Sequence, residues 1–377
     1  MSQSRDYQIA VYYFPNFHVD PRNELVHGRG WTEWELVKAA RPRFPGHRQP
    51  KVPLWGYQDE SNPRVFAGKI DAAVGAGIDC FLFDWYAYED GLFLQGALER
   101  GYLGAANNSR IKFALMWANH DWLNLHPGSR TASPRLLYPG AVGPQTFTKL
   151  AAYLTDKYFG HPSYWKLDGR LFLSIYELNT FIRGLGGLGG AQEALEYLRD
   201  KVRAAGLGEL HLTAIAWGVR PLPGQPEPAD VNSLLERLKF NSVGSYVWLH
   251  HVRPAGFPAS DYREVAEQAR DHWHRARREY RIPYVPNVTV GWDPSPRTDQ
   301  SEGYADAGYP FSPILVRNTP EMFVRSLREA RQFLDEGPAP RVLTINAWNE
   351  WTEGSYLEPD TQYRTGHLEA IQQVFPR

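Results

Sequence analysis

The chain is poor in sulfur: one cysteine, Cys80, and three methionines stand among 377 residues. A lone cysteine closes no internal disulfide and builds no thiolate zinc cage. Long apolar runs are also missing, and none reaches the roughly 18 residues of a bilayer-spanning helix. Charge of one sign is not in excess either. Lys plus Arg total 41 and Asp plus Glu total 42, for a net charge of -1. That balance excludes a general attraction to nucleic acid or to an anionic membrane. The first residues, Met1 to Tyr7, have no apolar signal core. With the single cysteine, this makes a cytoplasmic protein the expectation. No H-E-x-x-H, Walker A or G-x-S-x-G motif occurs, and the twelve histidines are scattered, so neither a metal site nor an organic cofactor is predicted. The run from Gly184 to Gly189 fits G-x-G-x-x-G, but the acidic Glu209 opens the next strand instead of ending it, which suits a helix entry better than a dinucleotide site. His250 and His251 read as a surface loop pair.

Aromatic residues, in contrast, are 14% of the chain, with 13 Trp and 21 Tyr. They occur within a regular alternation. Short apolar runs bounded by turn residues fall at Ile9–Tyr13, Ile78–Phe83, Lys112–Trp117, Leu171–Tyr176, Leu210–Trp217, Phe240–Val247, Tyr284–Val290 and Val342–Ala347, as expected of buried parallel strands. Amphipathic stretches lie between them. In Glu321–Glu336, Thr319 is an N-cap, Pro320 takes the first helical position, and Phe323, Leu327, Ala330 and Leu334 follow at helical spacing. Further helices are predicted over Pro63–Ala76, Leu92–Arg100, Pro144–Tyr158, Ala191–Ala205, Val231–Lys239, Tyr262–Tyr280 and Gly366–Phe375. Eight strands alternating with eight helices favour a (β/α)8 barrel, a closed sheet without edges, over an open doubly wound sheet. No linker interrupts residues 1–377, which are read as one domain. Long loops follow several strands, the first running from Phe14 to Asn62, and in such barrels the loops at strand C-terminal ends build the site.

Polar and aromatic residues gather at those ends. Candidates for substrate binding are Asp84, Trp85 and Tyr86 after the second strand, and Trp117, His120 and Asp121 after the third. Glu177 follows the fourth, Trp217 the fifth, Tyr246 the sixth and Trp292 the seventh. Trp348 and Asn349 follow the last, and Glu33 sits in the long first loop. Indoles stack on the apolar faces of sugar rings, and carboxylates, amides and imidazoles satisfy the hydroxyl edges. The competing reading is that each Trp packs the barrel rim, the commoner fate of a single Trp. Seven Trp together at these ends (Trp85, Trp117, Trp217, Trp248, Trp292, Trp348 and Trp351), interleaved with Asp, Glu, Asn and His, favour a carbohydrate cleft. Glu350 and Glu353 are the candidate catalytic pair. Glycoside cleavage needs two carboxyl groups in different protonation states about one anomeric carbon. Two surface glutamates in a loop would give the same spacing, but Trp348 and Trp351 beside them argue against a purely solvated role.

The stretch Asn346-Ala-Trp-Asn-Glu-Trp-Thr-Glu-Gly-Ser-Tyr-Leu-Glu-Pro-Asp360 resembles the signature of glycoside hydrolase family 99 and its WbsX-type relatives. Ala10-Val-Tyr-Tyr-Phe-Pro-Asn-Phe-His18, Gly30-Trp-Thr-Glu-Trp34 and Phe83-Asp-Trp-Tyr86 are similar to the same group, and through them Tyr13 and Trp34 join the substrate-binding candidates. The resemblance implies a (β/α)8 barrel and retaining cleavage of an α-linked, mannose-like or bacterial polysaccharide glycan. It implies that Glu350 acts as base on the substrate 2-hydroxyl and Glu353 as acid/base. Thr352 and Ser355-Tyr356-Leu357 depart from the hydrolase pattern. The partner expected is an oligosaccharide or polysaccharide. The alternatives are a glycosyltransferase of surface-polysaccharide assembly, although no D-x-D ends a strand, and a non-catalytic glycan-binding barrel.

Overall fold

The computed structural model describes residues 7–216, 231–337 and 341–377. Nine parallel strands form the main sheet: β1 (Tyr7–Tyr13), β2 (Cys80–Tyr88), β3 (Lys112–Trp117), β4 (Arg170–Ile175), β5 (Leu210–Ile215), β6 (Ser242–Gly244), β7 (Tyr284–Val285), β8 (Asn287–Thr289) and β9 (Arg341–Asn346). Their order is β7-β6-β5-β4-β3-β2-β1-β9-β8. The two ends of this path, β7 and β8, are separated only by Pro286. The single run predicted over Tyr284–Val290 is thus one strand in two halves, the first paired with β6 and the second with β9. Proline offers no N–H to the ladder, but the Pro286 carbonyl still accepts from Thr344 N at 3.0 Å. The barrel closes through this interruption.

Helices cover the outside. Pro63–Ala76 lies where expected: Asn62 Oδ1 accepts from Arg64 N at 2.9 Å, and Gly77 ends the helix at φ 95°, a left-handed conformation that suits glycine. The segments Leu188–Ala204, Tyr262–Glu279, Pro320–Asp335 and Gly366–Val374 also follow the predicted pattern to within a few residues. Leu92–Arg100 does not. Gly91–Phe93 instead folds back on β2 as an antiparallel strand, followed by a π-helical turn at Ala97–Tyr102. The predicted helix Pro144–Tyr158 changes character at Leu154, where a π-helical turn begins. Among the described residues no helix is long and apolar enough to cross a membrane.

Strand alternation decides which rim residues reach the barrel interior. In β1, Tyr12 points inward, where its hydroxyl donates to Ser245 O at 3.1 Å and its ring meets Tyr246. Tyr13 points outward and stacks on Phe66 of the first outer helix, 5.1 Å between centroids. In β2, Asp84 points inward to Tyr246, while Trp85 faces outward to Tyr158. Trp85 and Trp117 are register partners, so Trp117 also faces out, against Phe147 and Phe181.

Candidate active site

Three carboxyl groups meet one guanidinium at the C-terminal mouth of the barrel, and a fourth, Asp84, joins them through Tyr246. Glu350 and Glu353 come from a hairpin after β9. Asn349–Glu350 pairs with Ser355–Tyr356, and a 3-10 turn at Trp351–Glu353 joins them. Gly354 completes the turn at φ 65°, and a Cβ there would stand 2.6 Å from that of Asp293, so the turn demands glycine. Arg297 reaches the pair from the loop after β8: Nη2 lies 2.6 Å from Glu350 Oε1, and Nη1 lies 2.5 Å from Glu353 Oε1. The same guanidinium holds Glu33 of the first loop, with Nε at 2.9 Å and Nη2 at 2.8 Å from Oε1. Tyr309 OH lies 2.8 Å from Glu353 Oε1. On the other side of Glu350, Tyr246 OH lies 3.3 Å from Oε2 and 2.9 Å from Asp84 Oδ2.

The electrostatics follow from the count. Burial works to raise Glu33, but the Arg297 guanidinium and the hydrogen bond from Thr352 hold it below its ordinary value. It is the ionised partner of Arg297, whose own pKa is pushed up by Glu33, Tyr309 and the glutamate pair against burial. Burial pushes Asp84 well above the carboxylate range, with only partial relief from Tyr246. Burial also raises Glu350 and Glu353, against the pull of Arg297. One cation cannot balance four buried carboxylates, so Asp84, Glu350 and Glu353 are not all ionised together. Tyr246 has one proton to donate between two carboxyls, which requires either Asp84 or Glu350 to be the protonated member at neutral pH. The nearby imidazoles add no charge: burial lowers His120, and pushes His126 and His250 down to about 3.

Arg297 is held in place from behind. Asp293 Oδ1 accepts from Ser295 Oγ at 2.6 Å and starts the 3-10 turn Ser295–Arg297. Its Oδ2 meets His47 at 2.9 Å, Gln49 at 2.7 Å and Lys51 at 3.2 Å. Gly128 N donates to Arg297 O at 2.7 Å.

Of the residues singled out in the sequence, Glu33, Asp84, Tyr246, Glu350 and Glu353 come together here. Tyr86 and His120 lie on the adjoining wall, with Tyr86 edge-on to His120 and Trp122. Trp292 stands by Tyr309, 6.1 Å between centroids. The others serve elsewhere. Tyr13, Trp85 and Trp117 pack between barrel and helices, and Trp348 is fully buried against Phe81. The Trp34 indole donates to Gln58 O. Asn349 clamps Phe14 through both its amide atoms. Asp121 Oδ1 accepts from Gly140 N, and half-buried Glu177 accepts from Thr180. Trp217 lies outside the described residues. The aromatic residues at the strand ends are thus mostly packing, and Tyr13, Trp85 and Trp117 each follow an inward residue by one place. His250 and His251 are half-buried and face inward: His250 stacks near Tyr246, and His251 bonds Ser245. Arg297 and Tyr309 carried no sequence signal, since each lies in a loop more than 40 residues from the glutamates they touch. Among the described residues no group of three or more His, Cys, Asp or Glu could hold a metal ion.

A search of solved structures finds the same fold in carbohydrate enzymes. The chain superposes on a GH99 endo-alpha-mannosidase from Bacteroides thetaiotaomicron with TM-score 0.60 at 13% identity, covering 99% of this chain and 97% of that one. A glycoside hydrolase-like protein gives 0.63 at 16% identity, covering 100% and 95%. A beta-glucosidase from Thermotoga maritima gives 0.51 at 10%, covering 98% of each. The protein is therefore a (β/α)8 barrel of the architecture shared with glycoside hydrolases. Within that class, the chain belongs to the family described as Glycosyltransferase WbsX, whose sequence model matches residues 9–371. Two curated relatives, uncharacterized WxcX proteins from strains of Xanthomonas campestris pv. campestris, are 28% identical over 374 residues, which is 98% of this chain. The chain spans about half the length of these relatives.

Proposed function

We propose that the protein is a retaining glycoside hydrolase acting on an α-linked glycan, with Glu350 and Glu353 as its catalytic pair. The observation that carries this reading is the bridging of both glutamates by one buried arginine, beside a third carboxyl linked to Glu350 through Tyr246. Such a cluster keeps carboxyl groups in unlike protonation states about one point, which acetal cleavage requires. In the first step Glu353 gives its proton to the leaving oxygen. Glu350 takes the proton of the 2-hydroxyl as that oxygen closes on C1, giving a 1,2-anhydro sugar. In the second step Glu353 takes a proton from water as it attacks C1, and Glu350 returns its proton to O2. Two inversions leave the configuration retained.

A structural neighbour suggests the substrate class to test first. The B. thetaiotaomicron neighbour is an endo-alpha-mannosidase, so α-linked mannose oligosaccharides and bacterial polysaccharides are the first glycans to assay. The family's description favours a second reading, glycosyl transfer. Calorimetric titration with common nucleotide sugars separates the two: the hydrolase reading expects no binding. For hydrolysis, E350Q and E353Q are each expected to lose about 10²–10⁴ of the wild-type rate. A wild type that cleaves while both variants keep near-full rate would overturn the assignment.

A further inference from the structure

Behind the glutamate hairpin, on the side away from Arg297, lies a second buried ionic cluster. Lys69 projects from the helix Pro63–Ala76, its Nζ 2.5 Å from Glu60 Oε1 and 2.5 Å from Glu358 Oε1. Glu60 is 0%, Lys69 1% and Glu358 5% exposed. Sealing one cation and two carboxylates in a barrel wall costs several kcal/mol per ion before their attraction is counted. A surrounding of apolar residues would give a fold equal support, which directs attention to what the cluster holds.

It holds both neighbours of Glu350. Asn349 Nδ2 donates to Glu60 Oε1 at 2.8 Å, and Trp351 Nε1 donates to Glu358 Oε2 at 2.7 Å. Each carboxylate that Lys69 draws together thus grips one residue flanking Glu350. Glu60 N is anchored to Phe17 O at 3.1 Å, and Glu358 N to Trp348 O at 3.1 Å. Gly101 lets the Glu60 backbone press into the π-helical turn, since a Cβ there would stand 2.1 Å from Glu60 O. The Tyr13 ring covers Lys69 Nζ at 5.8 Å.

We propose that Lys69 is a positioning residue for Glu350: with Glu60 and Glu358 it forms a buried ionic strut that sets the Asn349–Glu350–Trp351 segment against Arg297. Lys69 touches neither Glu350 nor a substrate and acts through Asn349 and Trp351. The inference rests on the proposed role of Glu350, but the placement it describes is measurable without a substrate. Burial and Glu358 raise Glu60 to about 7, against the pull of Lys69.

The test pairs crystallography with 13C NMR titration of the glutamate carboxyl carbons in the full chain, the Glu350 signal being assigned from E350Q. In K69M the Glu350 carboxylate is expected to leave its 2.6 Å contact with Arg297, and its titration midpoint to move by a pH unit or more. W351F keeps the ion triad but removes the Glu358 link, and is expected to move the midpoint in the same direction by less. Should K69M not fold, W351F carries the test alone. An unchanged Glu350 position and midpoint in every folded variant would overturn the strut while leaving the hydrolase reading intact. If wild-type cleavage is found, K69M should lower kcat at least tenfold with KM nearly unchanged. Full loss of cleavage in E350Q beside unaltered kcat in K69M would likewise refute the strut alone.

Discussion

Replacing Arg297 by methionine tests the electrostatic core of the site. The substitution keeps much of the side-chain volume and removes the only cation in contact with Glu33, Glu350 and Glu353 among the described residues. Breaking a buried ion pair by deleting one partner costs about 3–5 kcal/mol. Three carboxyls lose their partner here, so the upper end applies wherever they must remain ionised. They can escape by taking up protons, which makes the cost depend on pH. In the wild type Glu33 sits below its ordinary value. Its contribution is therefore present above the unfolded carboxylate pKa and lost as pH falls through the folded one. Without Arg297 its folded pKa rises above the unfolded value, and native R297M holds a proton that the unfolded chain releases. Stability then falls as pH rises, by about 1.4 kcal/mol per pH unit per extra proton. Urea unfolding at pH 5 and pH 8 measures both effects. R297M should be mildly destabilised at pH 5 and several kcal/mol less stable than wild type at pH 8, and adding E33Q should recover part of the loss. A variant within about 1 kcal/mol of wild type at both values would refute the reasoning.

Three further outcomes are expected. Y246F removes the hydroxyl shared by Asp84 and Glu350; a hydrogen bond to a charged group contributes about 1.5–3 kcal/mol, so kcat should fall roughly 10–100-fold, and the loss of a donor should shift the Glu350 titration upward by NMR. W273A empties a fully buried site packed on Phe333 and should cost about 3–5 kcal/mol in urea unfolding, with the rate per folded molecule unchanged. N62A removes the cap that accepts from Arg64 N and should cost about 1 kcal/mol.

Much of the barrel was legible because its strands are short apolar runs between turn residues, and its helices carry caps and stripes that act locally. The Pro63–Ala76 helix begins with an Asn-Pro pair and ends at a glycine, and each signal lies within the segment it governs. The interruption at Pro286 was missed in the single run Tyr284–Val290, although a residue without an N–H cannot continue a ladder unbroken. Glu350 and Glu353 were legible as a pair because one hairpin carries both. Which tryptophans face the cavity depends on strand parity, and an inward Asp84 forces Trp85 outward. That rule was available in the sequence, but the clustering of aromatics pointed the other way. Arg297 was beyond reach. Its place is set by Asp293, which draws His47, Gln49 and Lys51 from a loop more than 240 residues earlier, and no local pattern encodes a meeting of that kind. Lys69 was hidden for the opposite reason, since a lysine in an outer helix ordinarily faces water.

The central claim is that Glu350 and Glu353 converge on one sugar ring. A basic iminosugar, which carries an ammonium where a reacting ring develops positive charge, probes it directly in a soaked crystal. Manno- and gluco-configured forms at millimolar concentration are expected to place the ring nitrogen within hydrogen-bond distance of Glu350 or Glu353, with Tyr246 and Arg297 about it. Rings bound only away from both glutamates, or a site left empty by both configurations, would contradict the account.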